Sequence, residues 1–259
     1  MSVVKVKVKR PKAILLDILG TTTIDNWQSQ TVIPWMLGVN GISKFLFDNY
    51  DTNPVVNAID NLRRSCSRKR TYYDTEFPQV IIPNDDGTNK DLVIDAVMKY
   101  VRQNLQNTSP VKMTTSLINL YVLVWTHGFS TGAFKGHLFS DVPAALRNWK
   151  REEIAIYSFS GFLMEIQQLL FSYSTYGNVA QFMVGFLSTN DYGVKTDPKS
   201  FEKACRRINV GFSQVLFITD NEEESKAALK TGLKTVVIER NKDVASEGNI
   251  KTLLDLDFN

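Results

Sequence analysis

The stretch that most constrains the fold is residues 12–23, KAILLDILGTTT. Ala13, Ile14, Leu15 and Leu16 form a continuous apolar run, the pattern of a short strand buried on both faces. The run stops at Asp17, and the chain turns at Gly20 into Thr21, Thr22 and Thr23. A strand that delivers a carboxylate to its C-terminal end and then breaks at glycine is a device for building a site. In open α/β sheets, ligands bind outside the carboxyl ends of the strands. Taken alone, the stretch also fits an ordinary core strand, so its weight depends on what later strands bring to the same edge.

The second half of the chain supplies those strands. Residues 154–158 (IAIYS), 184–187, 215–219 (VLFIT) and 235–238 read as strands. Residues 142–150, 162–171, 200–208 and 222–231 read as helices, with apolar stripes such as Phe201, Ala204 and Ile208. Alternation of strands and helices predicts a doubly wound parallel α/β sheet. Residues 24–130 differ in character. Pro34 marks a helix start, residues 55–64 form a short helix, and Leu92, Val93, Ala96, Val97, Tyr100 and Val101 recur at helical spacing. Residues 112–125 add another helix, with Leu117, Leu120 and Val124 on one face. The expected division is an α/β core of residues 1–23 and 131–259, with a helical cap of residues 24–130 inserted after the first strand. The N-terminal VVKVKVKRPK reads as an edge strand or frayed tail.

Three strand ends in this scheme carry polar groups: Asp17, Ser158 with Ser160 close by, and Asp220. Lys195 lies in the loop GVKTDP just before a helix. In a parallel sheet the strand ends share one edge. Two carboxylates there suit Mg²⁺, while the serine hydroxyl and lysine ammonium would hold a phosphate. Each residue also has a plain structural reading, Asp220 as a helix N-cap and Lys195 as a surface lysine. No G-x-x-x-x-G-K-[ST] or G-x-G-x-x-G loop is present, which sets aside nucleotide-loop folds. The net charge of +3 comes from interspersed acids and bases, so no nucleic-acid partner is expected. No apolar run reaches the roughly 18 residues of a membrane span, and the N-terminus lacks the apolar core of a secretory signal. The expected location is the cytoplasm, with the nucleus as a second compartment. Cys66 and Cys205, the two cysteines, have no spacing of metal-ligand type. The basic group Arg63, Arg64, Arg68, Lys69 and Arg70 reads as a solvated helix end or loop, and the sequon at Asn107 as unused. His127 reads as structural and His137 as a residue of the site mouth.

The order Asp, Ser, Lys, Asp, with a helical insertion after the first, resembles the haloacid-dehalogenase superfamily. More closely, the chain resembles the enolase-phosphatase family of methionine salvage. The matching stretches are AILLDILGTTT, where the family has D-x-E-G-T-T, then WTHGFSTGAFKGHLFSDV, IAIYSFSGF, QQLLF, GVKTDPKSF and LFITDNEEESKAA. The run around Trp125, Gly132 and Lys135 is the most family-specific. The resemblance implies a Mg²⁺-dependent enzyme that enolises a diketo phosphate ester and then removes the phosphate to give an acireductone. The implied partner is thus a small phosphorylated metabolite; the chain itself is expected to be a monomer. Asp17 would be the nucleophile and a metal ligand, and Asp220 the second metal carboxylate. The Leu19 backbone carbonyl would be a further metal ligand. Lys195 would bind phosphate and steady developing charge, Ser158 or Ser160 with the Gly161 amide would bind phosphate or substrate, and Glu224 would be an acid close to the metal.

Leu19 stands where the family carries Glu, the acid that protonates the leaving oxygen and then activates water. The family's Ser-Ser-Gly is Ser158-Phe159-Ser160-Gly161 here, and its Arg-Pro-Gly-Asn is Glu239-Arg240-Asn241. Three readings stay open. The chain is an enolase-phosphatase whose acid comes from Glu224 or the cap; or a weakened paralogue that binds phosphate compounds or a protein; or a dehalogenase, whose attack at carbon needs no such acid.

Overall fold

The computed structural model describes residues 5–67, 79–106 and 114–259. The chain forms two compact units. One comprises the residues up to Trp27 together with Lys135–Asn259, and the other is Gln28–Phe134.

Among the described residues the first unit has seven strands: β1 (Val6–Val8), β2 (Ala13–Leu16), β3 (Ala155–Ser160), β4 (Gly185–Ser188), β5 (Val215–Thr219), β6 (Lys234–Val237) and β7 (Leu256–Phe258). Five of them form one parallel sheet in the order β4-β3-β2-β5-β6. The apolar run of β2 takes the centre because all four of its residues are fully buried, a position only a strand covered on both faces can fill. From β2 the chain builds outward through β3 and β4, then returns to build β5 and β6 on the other side. That reversal is a topological switch point, the place where open α/β sheets form their crevice. Phe201, on the helix Pro198–Ile208, packs edge-on against Phe159 of β3 and Phe217 of β5, with ring centroids 5.6 and 4.8 Å away.

Strand β3 runs two residues beyond the expected 154–158, because Phe159 and Ser160 still pair with Leu187 and Ser188 of β4. The N-terminal Val-Lys segment does form an edge strand, but off the main sheet: β1 pairs in parallel with β7. Where the chain leaves this unit, the buried Trp27 indole donates from Nε1 to the Lys135 carbonyl at 3.2 Å, tying together the outgoing and returning segments.

The second unit is helical, with α-helices at Ile33–Leu37, Ile42–Asn49, Asn53–Cys66, Lys90–Gln106 and Thr115–Ser130. Pro34 sits in the first turn of its helix, as its missing N–H favours. The stripe Leu117, Leu120 and Val124 is fully buried. On Lys90–Gln106 the buried face is Val93, Ile94, Val97, Met98 and Val101; Leu92 points to solvent at 64 % exposure, one position off the stripe assigned from sequence. Arg63 and Arg64 occupy a helix's last turn, where cations favour the dipole. Arg68, Lys69, Arg70 and the Asn107 sequon lie outside the described residues. Among the described residues no helix is long and apolar enough to cross a membrane.

Candidate active site

Asp17 leaves the end of β2 with its backbone N–H donating to the Ile218 carbonyl at 3.0 Å, so the ladder with β5 holds it in place. Its carboxylate is buried and makes three contacts. Oδ1 accepts from the Ile18 N–H at 2.7 Å and from Lys195 Nζ at 2.5 Å, and Oδ2 lies 3.2 Å from Thr219 Oγ1. Lys195 Nζ also reaches Glu224 Oε2 at 2.9 Å, and that oxygen is 2.9 Å from Thr219 Oγ1. The single Thr219 proton serves one carboxylate at a time. Burial opposes the charge on Lys195, but the Asp17 and Glu224 carboxylates outweigh it and hold the ammonium above its ordinary pKa. Burial, then the Asp17 charge, pushes Glu224 up.

Lys195 is thus a buried lysine, only 8 % exposed, and not a surface one. It is delivered by a turn at Gly193, whose φ is +102° and where a Cβ would stand 2.5 Å from Ser200 Oγ. The helix that follows is N-capped by Asp197, whose side chain accepts from the Lys199 N–H at 3.0 Å. Asp220 is likewise not a helix cap. Asn221 caps Glu222–Leu229 by accepting from the Glu223 and Glu224 N–H groups, and Asp220 lies against the Gly20 turn instead.

The turn after Asp17 is over-determined. The N–H groups of Thr21, Thr22 and Thr23 all converge on the Ile18 carbonyl, at 3.3, 2.8 and 3.0 Å. Arg240 clamps it from outside, Nε and Nη2 donating to the Thr21 carbonyl at 2.9 and 2.7 Å. The guanidinium is fixed in turn by Asp141 at 2.8 Å and lies 4.3 Å from the Phe139 ring. His137 Nδ1 braces the far end, accepting from Ile24 N–H and lying 3.0 Å from Thr23 Oγ1. Burial holds its imidazole below the ordinary histidine pKa. His137, assigned to the site mouth from sequence, is a brace of this turn.

At the apex, Gly20 has φ +70°. A Cβ there would stand 2.0 Å from Asp220 Oδ2 and 2.6 Å from Asp25 Oδ1. Two carboxylates therefore close on the bare α-carbon from different segments. A cavity of about 500 Å³ opens beside them, lined also by Glu222, Glu239, Arg240 and Lys242. Partial burial, then the charges of Asp17 and Asp25, push the Asp220 carboxyl up to about 6.

The two candidate serines separate. Ser158 is fully buried and its hydroxyl donates to Gln167 Oε1 at 2.5 Å, which places it in the core. Ser160 ends β3 and accepts weakly from the Phe162 N–H at 3.4 Å, with Gly161 exposed beside it. Leu19, half-buried, bridges to Thr23 within the turn.

Residues 11–232 match the family model described as haloacid dehalogenase-like hydrolase. Enolase-phosphatase E1 of Caenorhabditis elegans is 30% identical over 228 residues, 88% of this chain and 87% of that protein. The chain belongs to the haloacid dehalogenase-like hydrolases, in their enolase-phosphatase branch. Enolase-phosphatase E1 of Anopheles gambiae is 28% identical over 254 residues, covering 95% of this chain and 82% of that one. The fold of this hydrolase matches the crystal structure of the UTR4 protein from Saccharomyces cerevisiae, with a TM-score of 0.66, 20% identity and coverage of 94% and 97%.

Among the described residues, no group of three or more His, Cys, Asp or Glu side chains is placed to hold a metal ion. Magnesium does not need one, since it is held through one or two carboxylates and keeps several waters. Charge supports the fit of such an ion. Asp17, Glu224, Asp220 and Asp25 place four carboxylates around one edge of the hydrolase, and Lys195 is the ammonium that ion-pairs there, to Asp17 and Glu224. Among the described residues neither Asp220 nor Asp25 has an ion-pair partner. Sequence reasoning missed Asp25, Thr219 and the Arg240 clamp. Thr219 was visible as the hydroxyl before Asp220. Asp25 and the Arg240–Asp141 pair had no sequence signal, since only folding brings residues 99 positions apart into contact.

Proposed function

We propose that this hydrolase is a Mg²⁺-dependent enolase-phosphatase of methionine salvage, acting on a diketo phosphate ester and releasing an acireductone and phosphate. The observation that carries this reading is Asp17, held at the switch point of the sheet between Lys195 and Thr219. An Asp17 carboxylate oxygen attacks phosphorus, the P–O bond to the substrate breaks, and water then cleaves the aspartyl-phosphate at phosphorus. Splitting the transfer in this way replaces one difficult step by two easier ones. Lys195 turns its ammonium from Asp17 to the phosphoryl oxygens as negative charge builds there. The hydroxyl of Ser160 and the amide of Gly161 hold phosphate; Ser158 supports β3 through Gln167. Asp17, Asp220 and the Leu19 backbone carbonyl would hold Mg²⁺. The ion supplies neutralisation of phosphoryl charge.

Leu19 has no proton to give the leaving oxygen. After enolisation that oxygen departs as an enolate conjugated to a ketone, a far better leaving group than an alkoxide, so the need for a proton is reduced. Glu224, pushed up by burial and by Asp17, is the acid nearest Asp17's partners. Leu19 also carries a second reading, a weakened paralogue that binds phosphate compounds without turning them over.

One assay separates the two. Phosphate release and acireductone absorbance are followed with and without Mg²⁺, with Asp17→Asn as the blank. Metal-dependent turnover of the unaltered protein above that blank is the expected result. Turnover no higher than the blank in the unaltered protein would move the assignment to the binding role.

A further inference from the structure

The Asp220–Asp25 approach is not used by the mechanism above. Asp25 lies eight residues beyond Asp17, on the segment leaving the threonine turn, and its carboxylate returns to the turn's apex. Asp220 Oδ2 and Asp25 Oδ1 both lie within 2.6 Å of the single point where a Gly20 Cβ would stand. Glycine at 20 is what lets two like charges share that space. Coulomb repulsion at such a separation is unfavourable even in a partly hydrated site, and Lys195 is committed to the other pair. Lys242, which also lines the cavity, is held by Glu239 at 2.7 Å, and Arg240 by Asp141. The local bases are thus spent elsewhere, and the two carboxylates face an open cavity.

We propose that Asp25 is a third carboxylate of the cation site, holding a water of the Mg²⁺ that Asp17 and Asp220 ligate. The inference rests on the metal site of the proposed function and adds to it a residue from outside the strand ends. Among the described residues no three such acids are placed to hold an ion together, so a third carboxylate would act through one of the waters that a magnesium ion retains. Residues that orient a metal's ligands in this indirect way typically change affinity by 10–100-fold when removed.

The test is Mg²⁺ titration of the full chain by calorimetry, alongside thermal melting with metal chelated. Asp25→Ala is expected to raise the Mg²⁺ Kd about ten-fold or more, and Asp25→Asn by less, because the amide oxygen still accepts from the water. The metal-free melting temperature should not fall in either variant, since removing Asp25 relieves repulsion; a merely structural residue would lower it. A Kd in Asp25→Ala equal to that of the unaltered protein, with binding lost in Asp220→Asn, would overturn the role of Asp25 and leave the metal site standing. Absence of Mg²⁺ binding in the unaltered protein would overturn the metal site itself, and this inference with it.

Discussion

Asp17 and Glu224 form one pair of carboxylates at the C-terminal edge of the sheet, and Asp220 and Asp25 form another. The first pair is internally compensated, with Asp17 buried and Glu224 half-buried: Lys195 bridges both acids, and Thr219 offers its proton to either. The second meets over the bare α-carbon of Gly20 and faces a cavity, with no ion-pair partner among the described residues. A buried charge is costly unless it is paired and hydrogen-bonded, so Asp17 is satisfied within the protein. The other pair is open to the cavity. The difference separates a pair whose charges are balanced within the protein from a pair whose charges are not.

The most severe way to break the compensated pair is to remove its cation. Lys195→Met leaves the buried Asp17 and the half-buried Glu224 without a counter-charge, and removing one partner of a buried pair typically costs about 3–5 kcal/mol. Urea unfolding at neutral pH should show a loss of that order, together with loss of turnover. The sign of the pH dependence follows. The folded-state pKa of Lys195 lies above its ordinary 10.5, so its contribution is fully present below 10.5 and fades only as pH rises through the folded value. An unaltered protein that lost this increment between pH 7 and 9 would contradict the pairing.

Leu19→Glu asks whether one missing acid limits the reaction. A general acid–base typically contributes roughly 10²–10⁴-fold, so turnover of the diketo phosphate ester should rise, by less than the upper figure because the enolate already leaves easily. A folded, metal-binding Leu19→Glu protein with unchanged turnover would show that the acid comes from elsewhere.

Gly20→Ala sharpens the uncompensated pair. The new Cβ would stand 2.0 Å from Asp220 Oδ2, so that carboxylate must swing away, and alanine at φ +70° adds roughly 1–2 kcal/mol of backbone strain. Mg²⁺ affinity should drop further than stability. The smallest effect concerns pH. Asp220, pushed up to about 6 from an ordinary 3.8, costs the metal-free fold stability as pH rises from 3.8 to about 6 and no more beyond. Magnesium needs the ionised form, so the rise in melting temperature on adding Mg²⁺ should be larger at pH 7.5 than at pH 5. Equal rises would remove Asp220 from the metal site.

Much of the scaffold was legible because each element carried its own local signal. The AILL run required a strand buried on both faces, and it became the centre of the sheet. The VLFIT run did the same for β5 and placed Asp220 directly after it. Where two neighbouring residues competed for one role, the sequence could not choose. Ser158 and Ser160 are two positions apart on one strand, and the Gln167 side chain, reaching from a helix to Ser158, is what distinguishes them. Asn221 in the same way took the capping role that the sequence also allowed for Asp220.

Periodicity and strand-end chemistry, which are properties of contiguous residues, thus determined from the sequence the parallel sheet, the helical insertion and the delivery of Asp17, Lys195 and Asp220. Only the tertiary structure decided the electrostatics. That Lys195 is shared with Glu224, that Arg240 clamps Thr21 against Asp141, and that Asp25 closes on Asp220 across Gly20 all depend on distances between segments remote in the chain. Charge interactions fall with separation in space and not in sequence, so the balance of the site exists only once the chain has folded.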